Sequence, residues 1–285
     1  MLNELYLMFT NPIVLHVVLI ALTVGVLISL CSSLLGVSLV LKRYSMIGDG
    51  LSHVGYGALA LASSLKLAGD LKLEISIPIV VAAAFVLLKI GSNSRINSDA
   101  AIAVFSTASI AIGTIIFSLS GGTAGDACNS LFGSASLITV TTKDMWLSIV
   151  LCAAVIAAFV LLYHKIFAVT FDEEYMSATG VNAQKYNMLL ALLTAVTVVL
   201  GMQMMGAILI SGLIIFPPLS AMRICKTFKG VMIASAVISV VCFVVGFFAA
   251  CILQLQTGPA VIVANLAAYL LIGSAASVNK AVKRA

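Results

Sequence analysis

The sequence predicts an all-α fold, a polytopic membrane bundle of eight or nine transmembrane helices that forms one domain over residues 1–285. The first observation is composition: 62% of residues are hydrophobic, 9% are charged and the mean hydropathy is +1.21, whereas about a quarter of the residues in soluble domains are charged. The second observation is a series of apolar runs close to the ~20 residues that a helix needs to cross the bilayer core. Little of the chain is left for a soluble domain, so chemistry outside the membrane has to come from partners.

Nine apolar runs are the predicted spans. The sixth is short, and the turn from Gly201 to Gly206 that joins it to the seventh has almost no polar residues, so an eight-span count with one broken or re-entrant segment stays open. Pro217 and Pro218 are expected to kink or end the seventh span. In chain order, the runs cover residues 14–41, 46–68, 75–90, 100–120, 145–163, 188–200, 204–221, 231–253 and 259–278.

The basic residues predict how these spans are oriented. Cytoplasmic loops are enriched in lysine and arginine, and twelve of the fifteen basic residues fall in one set of alternate loops, which predicts an external N terminus and a cytoplasmic C terminus. No basic residue precedes Lys42 and no small-residue cleavage site follows the first run, so that run is expected to be a span rather than a cleaved signal peptide. The twelve are Lys42, Arg43, Lys89, Arg95, Lys165, Lys185, Arg223, Lys226, Lys229, Lys280, Lys283 and Arg284, and the other three are Lys66, Lys72 and Lys143.

The stretch MIGDGLSHVGYGA, residues 46–58, places Asp49 and His53 inside the second predicted span. An ionised aspartate at the centre of a membrane helix costs roughly 2.5–3.5 kcal/mol on insertion scales, so it is kept mainly where it faces protein or a water-filled path. Residues i and i+4 share a helix face, so Asp49 and His53 can bind one object together. A carboxylate with an imidazole suits zinc, manganese or ferrous iron, whereas calcium and magnesium prefer oxygen ligands alone.

Two donors make an incomplete metal site, and three interpretations of the pair stay open. A homodimer with this helix on its twofold axis would supply two aspartates and two histidines, which is a full tetrahedral set. The pair could instead be an internal ion pair that holds helices together, or a proton relay. His16 and His164 lie near the ends of their spans and are expected to be interfacial or core residues.

Two polar stretches lie between predicted spans. Residues 118–144 are rich in glycine, serine and threonine, and could cap the outer mouth of a pathway. Residues 170–185, TFDEEYMSATGVNAQK, predict a short cytoplasmic helix that Thr170 caps, that Asp172, Glu173 and Glu174 stabilise at its N terminus, and that Gly180 ends. Such a helix could dock a cytosolic partner, or it could be a solvated connector.

Several motifs, taken together and in this order, resemble the permease subunits of bacterial ABC importers for zinc and manganese. A basic pair precedes a G-D-x-x-x-H segment, an external L-F-G stretch is followed by an acidic turn, a glycine-to-arginine span contains proline, and T-G-P opens the last helix. In this chain the motifs are residues 42–53 (KRYSMIGDGLSH), 131–133 (LFG) with 142–144 (TKD), 206–223 (GAILISGLIIFPPLSAMR) and 257–259 (TGP).

The resemblance implies a function, a set of partners and a location. It implies a homodimeric permease in the bacterial plasma (inner) membrane, working with a cytosolic ATP-binding subunit and an external metal-binding protein. Zinc or manganese would be the transported substrate, with no permanently bound cofactor and no nucleic-acid partner. By the same resemblance, Asp49 and His53 match the metal ligands of the pathway. The segment from Asp172 and Glu173 to Ala178 and Gly180 resembles the helix that couples the permease to the ATPase.

Other functional classes fit the sequence less well. The chain has no G-x-x-x-x-G-K-[ST] phosphate-binding loop, so it is not expected to be its own ATPase. It has neither H-E-x-x-H nor G-x-S-x-G, which disfavours an intramembrane hydrolase. The sequence therefore predicts a metal permease, for zinc first and for manganese or ferrous iron after it. The alternative is a proton-coupled secondary transporter that uses Asp49 and His53 as its relay.

Overall fold

The computed structural model describes residues 12–42, 44, 46–65, 69–93, 98–121, 131 and 142–282. Within these ranges every regular element is a helix, so the all-α prediction is confirmed. The helices are α1 (Pro12–Leu41), α2 (Ile47–Ser64), α3 (Gly69–Asn93), α4 (Ser98–Leu119), α5 (Thr142–Leu161), α6 (Tyr163–Phe171), α7 (Glu173–Ala178), α8 (Ala183–Met205), α9 (Ala207–Ile224), α10 (Phe228–Leu253) and α11 (Thr257–Val282).

Each of the nine predicted spans lies on a helix, but the predicted count of eight or nine membrane spans is not confirmed. Among the described residues, six helices are long and apolar enough to cross a membrane: α1, α4, α8, α9, α10 and α11. The pair α5 and α6, bent by 76° at its break, makes a seventh if it is one span. The helices α2 and α3 are not among them. Asp49, His53 and four glycines lower the hydropathy of α2.

The short sixth span is a full-length helix. The helix α8 begins at Ala183, before the predicted start, and runs for 23 residues without a break. The helix α8 ends at Met205, and α9 begins at Ala207. Gly206 joins them with a φ of 91°, which glycine adopts without strain. Both helices are among the six candidate spans, so neither is broken within the described chain.

The two prolines do not end α9, which continues past Pro217 and Pro218 to Ile224. Proline has no N–H, so Pro218 leaves the carbonyl of Ile214 without its usual helical donor. That carbonyl oxygen lies against Gly36 of α1, where an added Cβ would come within 2.2 Å of it. A close Cα–H···O contact between neighbouring helices can take the place of part of the missing hydrogen bond.

The helix that carries Asp49 and His53 lies inside the bundle. Four helices pack around α2: α3, α4, α8 and α9. Leu51 and Val54 of α2 belong to the largest buried cluster, together with Ile210 and Leu213 of α9. Most of the surface of α2 is therefore covered by other helices of the same chain.

Candidate metal site and helix α7

Asp49 and His53 lie one helical turn apart at the start of α2, and their side chains face each other. The Nε2 atom of His53 is 3.5 Å from Oδ1 of Asp49. The His53 side chain is 15% exposed and that of Asp49 is 40% exposed, so the pair opens on the aspartate side. Ser211, on α9, is a near neighbour of the same carboxylate, and its hydroxyl donates to the Ile208 carbonyl of its own helix at 3.0 Å. The geometry allows one object to contact both side chains.

The second ring nitrogen of His53 has no partner. Nδ1 is buried and makes no hydrogen bond to any described residue. Buried polar atoms are nearly always hydrogen-bonded, so a buried nitrogen without a hydrogen bond needs an explanation. A neutral imidazole carries its proton on one nitrogen and a free lone pair on the other, so His53 can offer one of its two nitrogens to an ion.

The position of Asp49 in the first turn of α2 suits a negative charge. The first N–H groups of a helix lack intrahelical acceptors, and the helix dipole is positive at that end. No side chain caps α2, since Met46 at its N-cap makes no such bond. The helix is fixed locally by the Ser52 hydroxyl, which donates to the Asp49 carbonyl at 2.7 Å.

Close packing fixes the position of α2 against α4. A Cβ added at Gly113 of α4 would come within 2.8 Å of the Tyr56 ring and 3.1 Å of the α-carbon of Gly57. Small residues allow such approach between membrane helices. Because Tyr56 and Gly57 follow His53 in the next turn of α2, this contact sets the position of the site helix.

The described residues contain no group of three or more histidine, cysteine, aspartate and glutamate side chains that could hold a metal ion. Asp49 and His53 are therefore two donors within one chain, and their role as metal ligands stays a prediction. His16 and His164 were expected to be interfacial or core residues; both are exposed, so neither is a core residue, and their interfacial position stays a prediction. Most of the external stretch, including Phe132 and Gly133, and also Arg43 of the basic pair, lie outside the described residues.

The predicted short helix between the fifth and sixth spans is α7, and none of its residues is buried. Its cap is Asp172, whose carboxylate accepts a hydrogen bond from the Tyr175 N–H at 2.8 Å. The prediction that Thr170 caps it is wrong, because Thr170 is still inside α6, where its hydroxyl donates to the Ile166 carbonyl. The helix ends at Ala178, and Gly180 follows with a φ of 86°.

Glu173 ties α7 to the bundle. Its carboxylate lies 3.4 Å from the Nζ of Lys42, at the end of α1, and accepts a hydrogen bond from Asn187 of α8 at 2.8 Å. Lys42 also donates to Asn187. The Lys42 side chain is only 7% exposed. Its burial lowers the pKa of the Lys42 amine, and the nearby Glu173 charge opposes that change.

This network was not predicted from the sequence. Lys42 was identified as a basic loop residue and as the start of the motif before Asp49, but Asn187 lies 145 residues further along the chain and no local pattern joins the two. In the structure, Lys42 is the first residue after α1, in the short turn that leads to α2. The network therefore connects the exposed helix α7 to the segment that leads to Asp49.

Three comparisons with known proteins bear on this chain. Residues 15–276 match the family described as the ABC 3 transport family. The chain is 25% identical over 245 residues to the manganese transport system membrane protein MntC of Halalkalibacterium halodurans, covering 85% of this chain and 81% of that protein. It is 24% identical over 251 residues to the high-affinity zinc uptake system membrane protein ZnuB of Haemophilus influenzae, covering 88% and 94%.

A solved structure has the same fold. In PsaBC from Streptococcus pneumoniae, in complex with Fab, one chain superposes with a TM-score of 0.80. The alignment covers 95% of this chain and 94% of that one at 23% sequence identity. The likeness at this identity establishes the helical architecture.

Proposed function

The chain belongs to the ABC 3 transport family, and from that membership we propose that it is the permease subunit of an importer for a divalent transition metal. The observation that carries the proposal is the Asp49 and His53 pair, held inside the bundle with one histidine nitrogen unpartnered. Zinc is the first candidate, because two carboxylates and two imidazoles form the tetrahedral set that zinc prefers. Manganese comes second and ferrous iron third.

A second copy of the chain would complete the metal site. One chain offers two ligands, and a twofold axis beside α2 doubles them. The exposed side of Asp49 is the side from which the partner's pair would approach, since the rest of α2 is covered by helices of its own chain. The working permease in this proposal is a homodimer, each copy being one transmembrane domain.

Energy would come from a cytosolic ATP-binding subunit docked on α7. The exposed surface from Asp172 to Gly180 supports this role, with Asp172 capping the helix and Ala178 and Gly180 at its end. Glu173 would pass the movement of α7 to Lys42, and so to the start of α2. The site would then open alternately to the two faces of the membrane, as in other transporters with a central site.

The remaining features of the proposal follow from this arrangement. An external metal-binding protein would deliver the ion on the face opposite α7. The chain would lie in the plasma membrane with its N terminus outside and its C terminus, with the ATPase, in the cytoplasm. A proton-coupled secondary transporter is not favoured, because the family is one of ABC transporters.

The experiment that tests the proposal is uptake of radiolabelled zinc and manganese into proteoliposomes that contain this chain and its ATPase. Asp49→Asn and His53→Ala should each abolish ATP-dependent uptake. His16→Ala, which removes an exposed histidine from another helix, is the matched control and should transport normally. Uptake that ignores ATP, or that survives both substitutions, would contradict the proposal.

A further inference from the structure

An apolar groove runs between α5 and α10. Both helices pack on α1, and a cavity of about 400 Å³ remains between them. Leu34 of α1 lies at its floor, with Ile156 and Val160 on the α5 side and Met232 and Ile233 on the α10 side. Val160 and Ile233 are among the most exposed apolar side chains of their helices. The volume falls in the range of pockets that hold small ligands.

One end of this groove is polar and basic. His164 and Lys229 line it there, beside Tyr163. The Lys229 amine lies 5.1 Å from the centre of the Tyr163 ring, and His164 packs edge-on against the same ring. No aspartate or glutamate is among the described residues that line the groove. A ligand here would meet hydrocarbon along most of its length and positive charge at one end.

The basic end lies where a membrane surface is expected. Tyr163 and His164 begin α6, just after the 76° bend that follows α5, and Lys229 is in the first turn of α10. Tyrosine is enriched at the level of the lipid headgroups. This end of the bundle is also the end that carries α7, through the direct connection from α6. Basic pockets between transmembrane helices on the cytoplasmic side bind the headgroups of anionic lipids.

We propose that this groove is a binding site for an anionic phospholipid. One acyl chain would lie between α5 and α10 over Leu34, and the phosphate would sit beside Lys229 and His164. The proposal goes beyond the transport function, because it needs neither the metal site nor the ATPase.

Charge argues against a second copy of the chain as the occupant. A twofold axis normal to the membrane places the same residues of the two copies at the same depth. Two copies meeting at this groove would bring Lys229 toward its own counterpart, with no acidic partner among the described lining residues. An anionic lipid supplies the missing negative charge.

The test is lipid retention by the purified full-length chain. The chain is delipidated in detergent, exposed to phosphatidylglycerol or phosphatidylcholine, and analysed by native mass spectrometry and thermal unfolding. Wild type should retain more phosphatidylglycerol and gain thermal stability from it, because a ligand that binds the folded state stabilises it. Lys229→Gln should weaken retention of phosphatidylglycerol about fivefold, the effect of one lysine near the lipid surface.

Two further variants separate the groove from general surface charge. Lys226→Gln removes an exposed lysine that does not line the groove, and should leave retention unchanged. Val160→Trp fills the groove without changing charge and should reduce retention of phosphatidylglycerol. Equal retention of the two lipids by wild type, or equal loss in Lys226→Gln and Lys229→Gln, would overturn the proposal. Disulfide formation between two copies of a Val160→Cys variant would overturn it too, by placing a second copy in the groove.

Discussion

The carbonyl oxygen of Ile214 in α9 lies directly against Gly36 in α1, and a Cβ at position 36 would come within 2.2 Å of it. The contact joins two helices at the point where Pro218 removes a hydrogen-bond donor from α9. Neither group can move aside as a flexible side chain can, because both belong to helix backbones. This contact decides how closely α1 and α9 pack.

Gly36→Ala is therefore expected to destabilise the protein. The added methyl group has to push α1 and α9 apart, and overpacking of this kind costs about 1–3 kcal/mol. Thermal unfolding in detergent measures the loss. The matched control is Gly212→Ala in α9, where the nearest atoms to an added Cβ belong to side chains, Ile262 at 3.1 Å and Phe216 at 3.8 Å. If Gly36→Ala loses no more thermal stability than Gly212→Ala, the contact of Gly36 with the Ile214 carbonyl does not set the distance between α1 and α9.

Exchange of the charges of Lys42 and Glu173 tests whether α7 acts through this pair. Lys42→Glu and Glu173→Lys should each reduce the uptake obtained per ATP hydrolysed, and the double variant should recover part of it. Glu173→Lys should also cost more stability than the ~1 kcal/mol of an exposed ion pair, because it places a second cation beside the Lys42 amine, whose side chain is only 7% exposed. The ratio of uptake to hydrolysis in proteoliposomes is the measurement.

The neighbouring Glu174 provides the control for that experiment. It lies beside Glu173 on α7, and Glu174→Lys changes charge by the same amount without touching Lys42. The Glu174→Lys variant should keep a ratio of uptake to ATP hydrolysis closer to that of wild type than Glu173→Lys does. If the double variant is no better than the worse single variant, the pair does not transmit movement.

Metal stoichiometry tests the shared site. If two chains supply one tetrahedral set, the purified dimer should bind one zinc ion per two chains. Elemental analysis of the zinc-loaded protein after removal of free metal gives this ratio, and Asp49→Asn should lower it toward zero. One tightly bound ion per chain would mean that each Asp49 and His53 pair finds its other ligands within its own chain or from water.

Zinc binding should weaken as the pH falls. Metal ligands bind in their deprotonated forms, so protons compete for the His53 imidazole and the Asp49 carboxylate. Calorimetric titration with zinc at a series of pH values from about pH 8 down to about pH 5 should show a rising Kd. His53→Asn should bind weakly at the upper end and lose most of the pH dependence. Equal zinc affinity of the wild-type protein at the highest and lowest pH would argue against a histidine ligand.

Local sequence patterns predicted much of the fold and the local geometry of the Asp49 and His53 pair. Apolar runs found the long helices, and the four-residue spacing of Asp49 and His53 is enough to place them on one face. The residue that caps α7 was harder to predict, because threonine and aspartate can both cap a helix. The choice of Asp172 over Thr170 depends on where α6 ends, and α6 continues to Phe171. The predicted number of membrane spans is not confirmed, because α2 is helical but its polar residues keep it out of the candidate spans among the described residues.

Contacts between distant segments could not be read from the sequence. The Ile214 carbonyl, which Pro218 leaves without its helical donor, lies against Gly36 of α1. These two residues are 178 positions apart in the sequence. The link from Glu173 to Lys42 spans 131 residues. No pattern within a window of one helix contains either relationship, because each is created by the packing of the bundle.

In the proposed transport cycle, the location of Asp49 in the first turn of α2 would matter most after the metal has left. Once the metal had left, its positive charge would be gone, and an ionised Asp49 carboxylate, 40% exposed, would remain inside the bundle. The amino end of a helix carries about half a positive charge, so part of the aspartate's charge stays balanced by backbone that never leaves. In the proposed importer, the empty permease would then return to face its supply without needing another cation beside Asp49.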